Sequence, residues 1–414
     1  MRRIGRDPLL GSMIGKYYLD EKLGSGSFGS VYKCVDVLSK EVLAIKLLDV
    51  NEVNRKAINY EVAAHEILST YPECNEHVLC MLDHGIYIHR TVKSQILEIE
   101  KAKKNGETIE SKLRELELGE SLGLVQKNKL IRETEKANLR KIIKSRLEEI
   151  LEEKDNLGMW SAKPANSNYF FIVTELMGGD LDNIIDLIHK ERVEFDEASI
   201  NFIVEKLIMG LKYIHDRGLA HMDIKPPNVL WRLKENKNGS RITIENCLLD
   251  RDIAEKYLEI VYGDLGFACI DSVNTEDLDK GARICDNQGS TPIYLSPELV
   301  RNVLAPLSIP GVTSKTRNVS LKEAQANDVW ALGVTIWEFI FGEEPPYLEG
   351  IDDASELIMK LESLVQGFIV EYLPKEDKKI PEEYEKIETL LKLMFNPKEQ
   401  LRESINEIAE ILPI

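Results

Sequence analysis

Eight residues near the start of the chain, Gly24-Ser25-Gly26-Ser27-Phe28-Gly29-Ser30-Val31, restrict its fold more than any other stretch. Their three glycines lack the Cβ atoms that would hold a backbone away from an anion, so backbone N–H groups can approach phosphate oxygens closely. What flanks the glycines decides which fold uses them. In a doubly wound dinucleotide fold the loop joins a strand to a helix, with an acidic residue about 20 positions further on. Asp49 meets the second condition, but the first fails. Tyr17-Tyr18-Leu19 precedes the loop, Val31 to Val37 follows it and Val42 to Leu48 comes next, all strand-forming. The sequence therefore predicts an antiparallel sheet whose glycine turn covers a ligand from above. A helix at about 52–70, a strand at about 78–88 and a strand from Tyr169 to Glu175 are expected to follow.

Between those last two strands the composition changes. Thr91 to Gly158 holds 15 Lys and Arg against 14 Asp and Glu, a net of +1 within a chain of −18. Apolar residues recur there at helical spacing (Ile109, Leu113, Leu116; Leu139, Ile143, Leu147, Ile150), as in amphipathic helices. Residues 91–158 read as a charged helical insertion, either a hairpin packed on its own body or an arm that binds a partner. From Ser199 onward the pattern is mainly helical, with Phe202, Ile203, Leu207, Ile208, Leu211 and Ile214 on one stripe. Two short hairpin-like runs near 220–231 and 258–268 interrupt it, separated by a smaller insertion at 234–256. Val329 to Phe341 is the most apolar stretch, but Glu338 breaks it and it is shorter than the ~20 residues a membrane span needs, so a buried helix is expected.

Residue types and spacing then suggest chemistry. Lys46 ends the strand Ala44-Ile45-Lys46, where an ammonium reaches nucleotide phosphates if a carboxylate orients it. Glu61 is preferred for that role over Glu66, because Ala64, His65 and Leu68 at +3, +4 and +7 give it a packed helix face. In His221-Met222-Asp223-Ile224-Lys225-Pro226-Pro227-Asn228, Asp223 is placed to receive a hydroxyl proton and Asn228 to hold a metal. Asp264, in Asp264-Leu265-Gly266, supplies a second hard oxygen ligand suited to Mg²⁺.

In order and spacing these motifs resemble the eukaryotic-type Ser/Thr protein kinase family over nearly all of residues 14–410. The resemblance implies an α+β bilobal fold: a small antiparallel-sheet lobe with one helix, here carrying the helical insertion, and a large, mainly helical lobe. The implied boundaries are an N-terminal tail at 1–16, the small lobe at 17–177 and the large lobe at 178–414. It assigns ATP to Gly24 through Gly29, Val31, Ala44, Lys46, Glu61 and Leu230. The hinge Thr174-Glu175-Leu176-Met177 is similar to that of mitogen-activated kinases, placing Thr174 at the gatekeeper, Glu175 and Met177 against adenine, and Asp180 facing the ribose. Asp223 and Lys225 become catalytic, Asn228 and Asp264 magnesium ligands, and Lys225 with Thr291-Pro292-Ile293-Tyr294 marks Ser/Thr acceptors. Asp328 resembles the buried anchor of the large lobe, and Arg402 the partner of Glu298 in Ser296-Pro297-Glu298.

Departures from the family pattern are equally specific. Met222 replaces the arginine of H-R-D, Leu265 the phenylalanine of D-F-G and Ser296 the alanine of A-P-E. Met222 weakens the usual cationic pocket for an activation-loop phosphate, so activity without phosphorylation of Ser272, Thr275 or Ser290 is expected. The retained Lys46, Asp223, Asn228 and Asp264 argue against the alternative of a pseudokinase that binds nucleotide and acts as a scaffold. A charge of −18 disfavours nucleic-acid binding. The six cysteines lack any C-x-x-C pair, which gives a disulfide framework little support. No secretion signal or membrane segment is read, so an intracellular protein, cytoplasmic or nuclear, is expected, acting on a protein substrate.

Overall fold

The computed structural model describes residues 7, 9–26, 29–49, 55–70, 74–89, 167–235, 241–270, 291–301, 319–348, 350–351, 354–365 and 385–412. The 91–158 insertion, Ser27, Phe28 and the loop hydroxyls Ser272, Thr275 and Ser290 lie outside them. The chain divides into two compact units, residues 1–58 with 81–176 and residues 59–80 with 177–414. Among the described residues no helix is long and apolar enough to cross a membrane.

The first unit is a six-stranded antiparallel sheet built from β1 (Met13–Ile14), β2 (Tyr17–Gly26), β3 (Gly29–Asp36), β4 (Val42–Asp49), β5 (Met81–His89) and β6 (Ser167–Glu175), in the order β1-β2-β3-β4-β6-β5. Alternation along the strands explains its core. Tyr32, Ile45 and Val173 lie opposite one another and are buried together with Leu19, Cys34 and Leu47. Asp36 ends β3, and its Oδ1 accepts from the backbone of Leu38 (2.8 Å) and Ser39 (3.3 Å), which folds the turn into β4. Asp7 and residues 9–14, expected as part of a tail, instead pack on the sheet: Leu9 and Ile14 enter the same core, and β1 adds an edge to β2. The expectation missed this because the apolar residues there are too few to form a periodic pattern.

The helix α1 (Arg55–Ser69), which belongs to the second unit from Asn59 on, buries Ala64 and Leu68, and the Leu68 carbonyl accepts from the Tyr213 hydroxyl at 2.9 Å. The short α2 (Cys74–His77) follows, and a disulfide joins Cys74 to Cys80, where the lack of a C-x-x-C pair gives a disulfide framework little support in the sequence. Cys269 is also disulfide-bonded. The pairing went unseen because a six-residue spacing is no recognised motif; a helical turn closes the distance. Then come β7 (Gly179–Asp180), α3 (Leu181–His189), α4 (Glu197–His215), β8 (Leu219–Ala220), β9 (Val229–Leu233), α5 (Ile244–Leu249), α6 (Arg251–Tyr257), β10 (Leu258–Tyr262) and β11 (Cys269–Ile270).

The runs expected as two hairpins pair with each other: β9 with β10, and β8 with β11. The smaller insertion carries α5 and α6, which rest on α4 through an Arg251–Glu205 ion pair (2.8 Å) and an Asp196 N–H to Leu248 carbonyl bond (2.7 Å). Behind them runs α7 (Leu321–Phe341), opened by a Ser320/Glu323 capping box and closed by Gly342 in the left-handed region at φ 68°. It buries Trp330, Leu332, Val334, Ile336 and Trp337 on all sides, the buried helix read from Val329 to Phe341. The shorter α8 (Ala354–Val365), α9 (Glu385–Met394) and α10 (Ile405–Ala409) complete the unit.

Candidate active site

In the first unit the glycine turn joins β2 to β3, pairing Ser25 with Ser30 and Gly26 with Gly29. Gly29 sits at φ 149°, and a Cβ there would lie 2.0 Å from the Leu47 carbonyl oxygen, so no other residue fits. Val31 lies opposite Lys46, and Ala44 opposite Thr174. Because Ala44 and Lys46 are two apart on one strand, the pleat puts Val31, Ala44, Lys46 and Thr174 on one face. The other face belongs to the core residues Tyr32, Ile45 and Val173. Four residues assigned to the nucleotide from sequence are thus brought together, with Glu175 next along β6.

The second unit holds the other candidates. Met177 and Gly178 lead into β7, which pairs with β9 so that Asp180 lies opposite Leu230. The Asp180 carboxylate caps α3, accepting from Asn183 N at 3.0 Å, while burial raises its pKa. On α1, Glu61 is buried and Glu66 is exposed.

The loop between β8 and β9 is held from beneath by Asp328 of α7, which is fully buried. Asp328 accepts from the backbone N–H of His221 (2.6 Å) and Met222 (2.7 Å) and from His215 Nε2 (3.0 Å). His221 donates from Nε2 to the Gly263 carbonyl (2.8 Å) and accepts at Nδ1 from Asp223 N (3.3 Å), so both ring nitrogens are structurally engaged. Met222, at φ 67°, turns the chain, and its side chain is buried in the apolar core.

These anchors fix Asp223, which is 5% exposed. Its Oδ2 accepts from Asn228 Nδ2 (2.8 Å) and Lys225 Nζ (2.8 Å), and its Oδ1 from the Thr291 hydroxyl (3.1 Å). Thr291 Oγ1 also accepts from Lys225 Nζ at 2.8 Å, closing a ring of three side chains. Sequence reading took Thr291 only as a marker of acceptor type. The contact spans 68 residues, and the signal that could have found it is its place seven residues before Glu298.

Asn228 gives a second amide-nitrogen bond to the Asp223 carbonyl (2.7 Å), which turns its Oδ1 the other way. The Asn228 carbonyl accepts from Gly263 N (2.8 Å), bringing Asp264 beside Asn228 at the end of the β9–β10 pair. Asp264 adopts the left-handed conformation, φ 52° and ψ 73°, and Leu265 is buried behind it. One amide oxygen and one carboxylate suit Mg²⁺, a hard cation that completes its shell with water and phosphate oxygens.

Two further side-chain pairs brace the segment after Thr291. Arg402 meets Glu298 in two parallel bonds, Nη1–Oε1 at 2.6 Å and Nη2–Oε2 at 3.1 Å, and also donates to the carbonyls of Ala326 and Asn396. The Tyr294 hydroxyl donates to Glu338 Oε2 at 2.8 Å. Burial pushes the Glu338 carboxyl up to about 7, opposed by that hydrogen bond and assisted by Glu344 and Asp182.

A family model of the protein kinase domain matches residues 124–411, more than half of the chain. The chain therefore belongs to the protein kinase family. Its curated relatives include the serine/threonine-protein kinase PDK1 of Cryptococcus neoformans, 26% identical over 187 residues, which are 45% of this chain and 12% of that protein. The serine/threonine-protein kinase ULK3 of Xenopus laevis is 26% identical over 195 residues, 47% of this chain and 31% of the relative. The probable serine/threonine-protein kinase fhkA of Dictyostelium discoideum is 25% identical over 218 residues, 50% of this chain and 31% of the relative. This chain thus spans less than a third of the length of each. The family match begins after Lys46, so the glycine turn and Lys46 rest on the sheet geometry alone.

Proposed function

We propose that the protein is an active kinase that transfers the γ-phosphoryl group of ATP to serine or threonine hydroxyls of protein substrates. The observation that carries this reading is the ring of Asp223, Lys225 and Thr291 around a buried carboxylate. Asp223 receives the proton of the acceptor hydroxyl as that oxygen bonds to phosphorus and the bond to the β-phosphate oxygen breaks. Its aim is fixed before any substrate arrives, because Asn228 and Lys225 hold one oxygen and Thr291 the other. Lys225 places a positive charge where the transferring group becomes most anionic. Asn228 and Asp264 would hold Mg²⁺, which supplies charge neutralisation on the phosphates when bound. Val31, Ala44, Lys46 and Thr174, with the glycine turn, Glu175, Met177, Asp180 and Leu230, are our nucleotide-binding set. Glu61 is the helix carboxylate we assign to that set over Glu66, because a buried carboxylate needs a cationic partner and an exposed one does not.

Serine and threonine are favoured over tyrosine because Lys225 and Thr291 stand together at the acceptor carboxylate, and the relatives named above carry the same specificity in their names. Dependence on ATP argues for work inside a cell, in cytoplasm or nucleus, and the 91–158 insertion is our candidate for contact with a protein partner. Incubation with labelled ATP and a peptide array tests the reading. Asp223→Asn should lower transfer by roughly 10²- to 10⁴-fold, the usual worth of general acid–base catalysis, while the melting curve holds. Binding of nucleotide without transfer by the wild-type protein would overturn it in favour of a scaffold.

A further inference from the structure

We infer that Asp7 is a positioning residue for the glycine turn, fastening β2 to β3 from the face opposite the nucleotide-binding residues; this rests on the reading of that turn as the phosphate lid. The edge strand β1 covers only the first part of β2. Its pairs are Met13 with Tyr18 and Ile14 with Tyr17, extended by backbone bonds from Leu19 N to Ser12 O (3.0 Å) and from Gly11 N to Leu19 O (2.9 Å). Past Leu19, toward the glycines, β2 has no strand on its outer edge among the described residues.

The inner ladder is weakest in the same stretch. The pairing of β2 with β3 slips between Leu19 and Glu21 and again between Lys22 and Gly24, so the strand leading into the turn is irregular on both sides of Lys22. A strand with one free edge and two irregularities opens more readily than its neighbours.

Asp7 bridges this weak point. Its Oδ2 accepts from the Tyr32 hydroxyl of β3 at 3.0 Å and pairs with Lys22 Nζ of β2 at 3.3 Å. Its Oδ1 accepts from Leu9 N at 3.0 Å, which holds the carboxylate to the segment docked on the core. Lys22 and Tyr32 are direct partners in the ladder, and the lysine ammonium lies 5.8 Å from the tyrosine ring centre. The Tyr32 ring is itself buried in the sheet core. One carboxylate thereby ties the two strands at the last regular position before Gly24, on the face opposite Val31 and Lys46. Burial is the largest single influence on its pKa and pushes it up, but the hydrogen bonds from Leu9, Tyr32 and Lys22 and the lysine's charge together outweigh it and hold the carboxyl below its ordinary value.

The test is hydrogen exchange and steady-state kinetics on full-length Asp7→Asn, Tyr32→Phe, the double variant and Asp7→Glu. Removing the tie should speed amide exchange in residues 20–32, leave exchange in α4 and α7 as in the wild type, and raise the KM for ATP by roughly threefold to tenfold, the scale of one lost hydrogen bond at a partly exposed site. The kcat should change less than KM, the double variant should add little to the single ones, and Asp7→Glu should recover part of the loss. Unchanged exchange in residues 20–32 overturns the inference. So does a parallel fall of kcat and melting temperature with KM unaltered, the mark of a general loss of stability. Wild-type protein that fails to bind ATP would refute the functional reading instead, and the exchange measurement would still decide the role of Asp7.

Discussion

Arg402→Met removes a cation that meets the Glu298 carboxylate through two nitrogens, and the outcome can be worked from the contacts. The arginine side chain is 0% exposed and the glutamate side chain 13%. Losing it strands a nearly buried carboxylate and two carbonyls, of Ala326 and Asn396, and strips the cation from 5.1 Å above the Trp330 ring. Breaking such a pair on one side costs about 3–5 kcal/mol, mostly from the abandoned charge. For a unit of this size each kcal/mol moves the midpoint by roughly 2–4 °C, so a drop of roughly 6–20 °C is expected in a thermal melt followed by circular dichroism. Most of the loss should vanish when Glu298→Gln is added, because the stranded charge is then gone. A fall below about 1 kcal/mol in the single variant, the range of an exposed pair, would refute the reasoning. So would full additivity of the two changes.

Glu338, whose carboxyl is raised to about 7 by burial, binds its proton more tightly folded than unfolded. Its contribution is therefore fully present below its unfolded value and is lost as pH rises toward about 7. Glu338→Gln should match the wild type in urea titrations near pH 4.5 and exceed it at pH 7.5. Ser296 is fully buried, and its hydroxyl finds no hydrogen-bond partner among the described residues; Ser296→Ala should raise stability by about 1 kcal/mol, checked by the same titration. Met222 is 2% exposed among apolar neighbours and offers no charge to a loop phosphate. Phosphatase treatment should accordingly leave peptide phosphorylation unchanged, whereas a fall to background would remove that reasoning.

Where local spacing carries the information, the sequence was readable. The glycine turn was placed between strands because β-branched residues follow Gly29, and α7 was read as buried because apolar residues surround it almost completely. Order and spacing single out Asp223, Asn228 and Asp264 as candidates. What escaped depends on contacts between distant segments. Thr291 reaches Asp223 across 68 residues, and Asp7 reaches Tyr32 across 25. Neither polar residue differs in its local surroundings from one on a solvated loop. The partnership of β9 with β10 was hidden by the insertion, which makes each strand look like half of its own hairpin. The choice of Glu61 over Glu66 rested on neighbours at helical spacing, and the burial of one and exposure of the other follow that face.

The β9–β10 pair also bears on how the chain tolerates change in length. Val229 lies opposite Tyr262 at one end, next to Asn228 and Asp264, and Leu233 lies opposite Leu258 at the other, where the α5–α6 segment departs. Five consecutive pairs separate the two ends and fix their register, so residues added beyond Leu233 alter only the cost of closing that loop. Closure entropy grows logarithmically, about 0.6 kcal/mol for each doubling of loop length. A reporter peptide or a small domain spliced between residues 234 and 243 would lengthen the loop that leaves the far end of this ladder, with the spacing of Asn228 and Asp264 kept as it is.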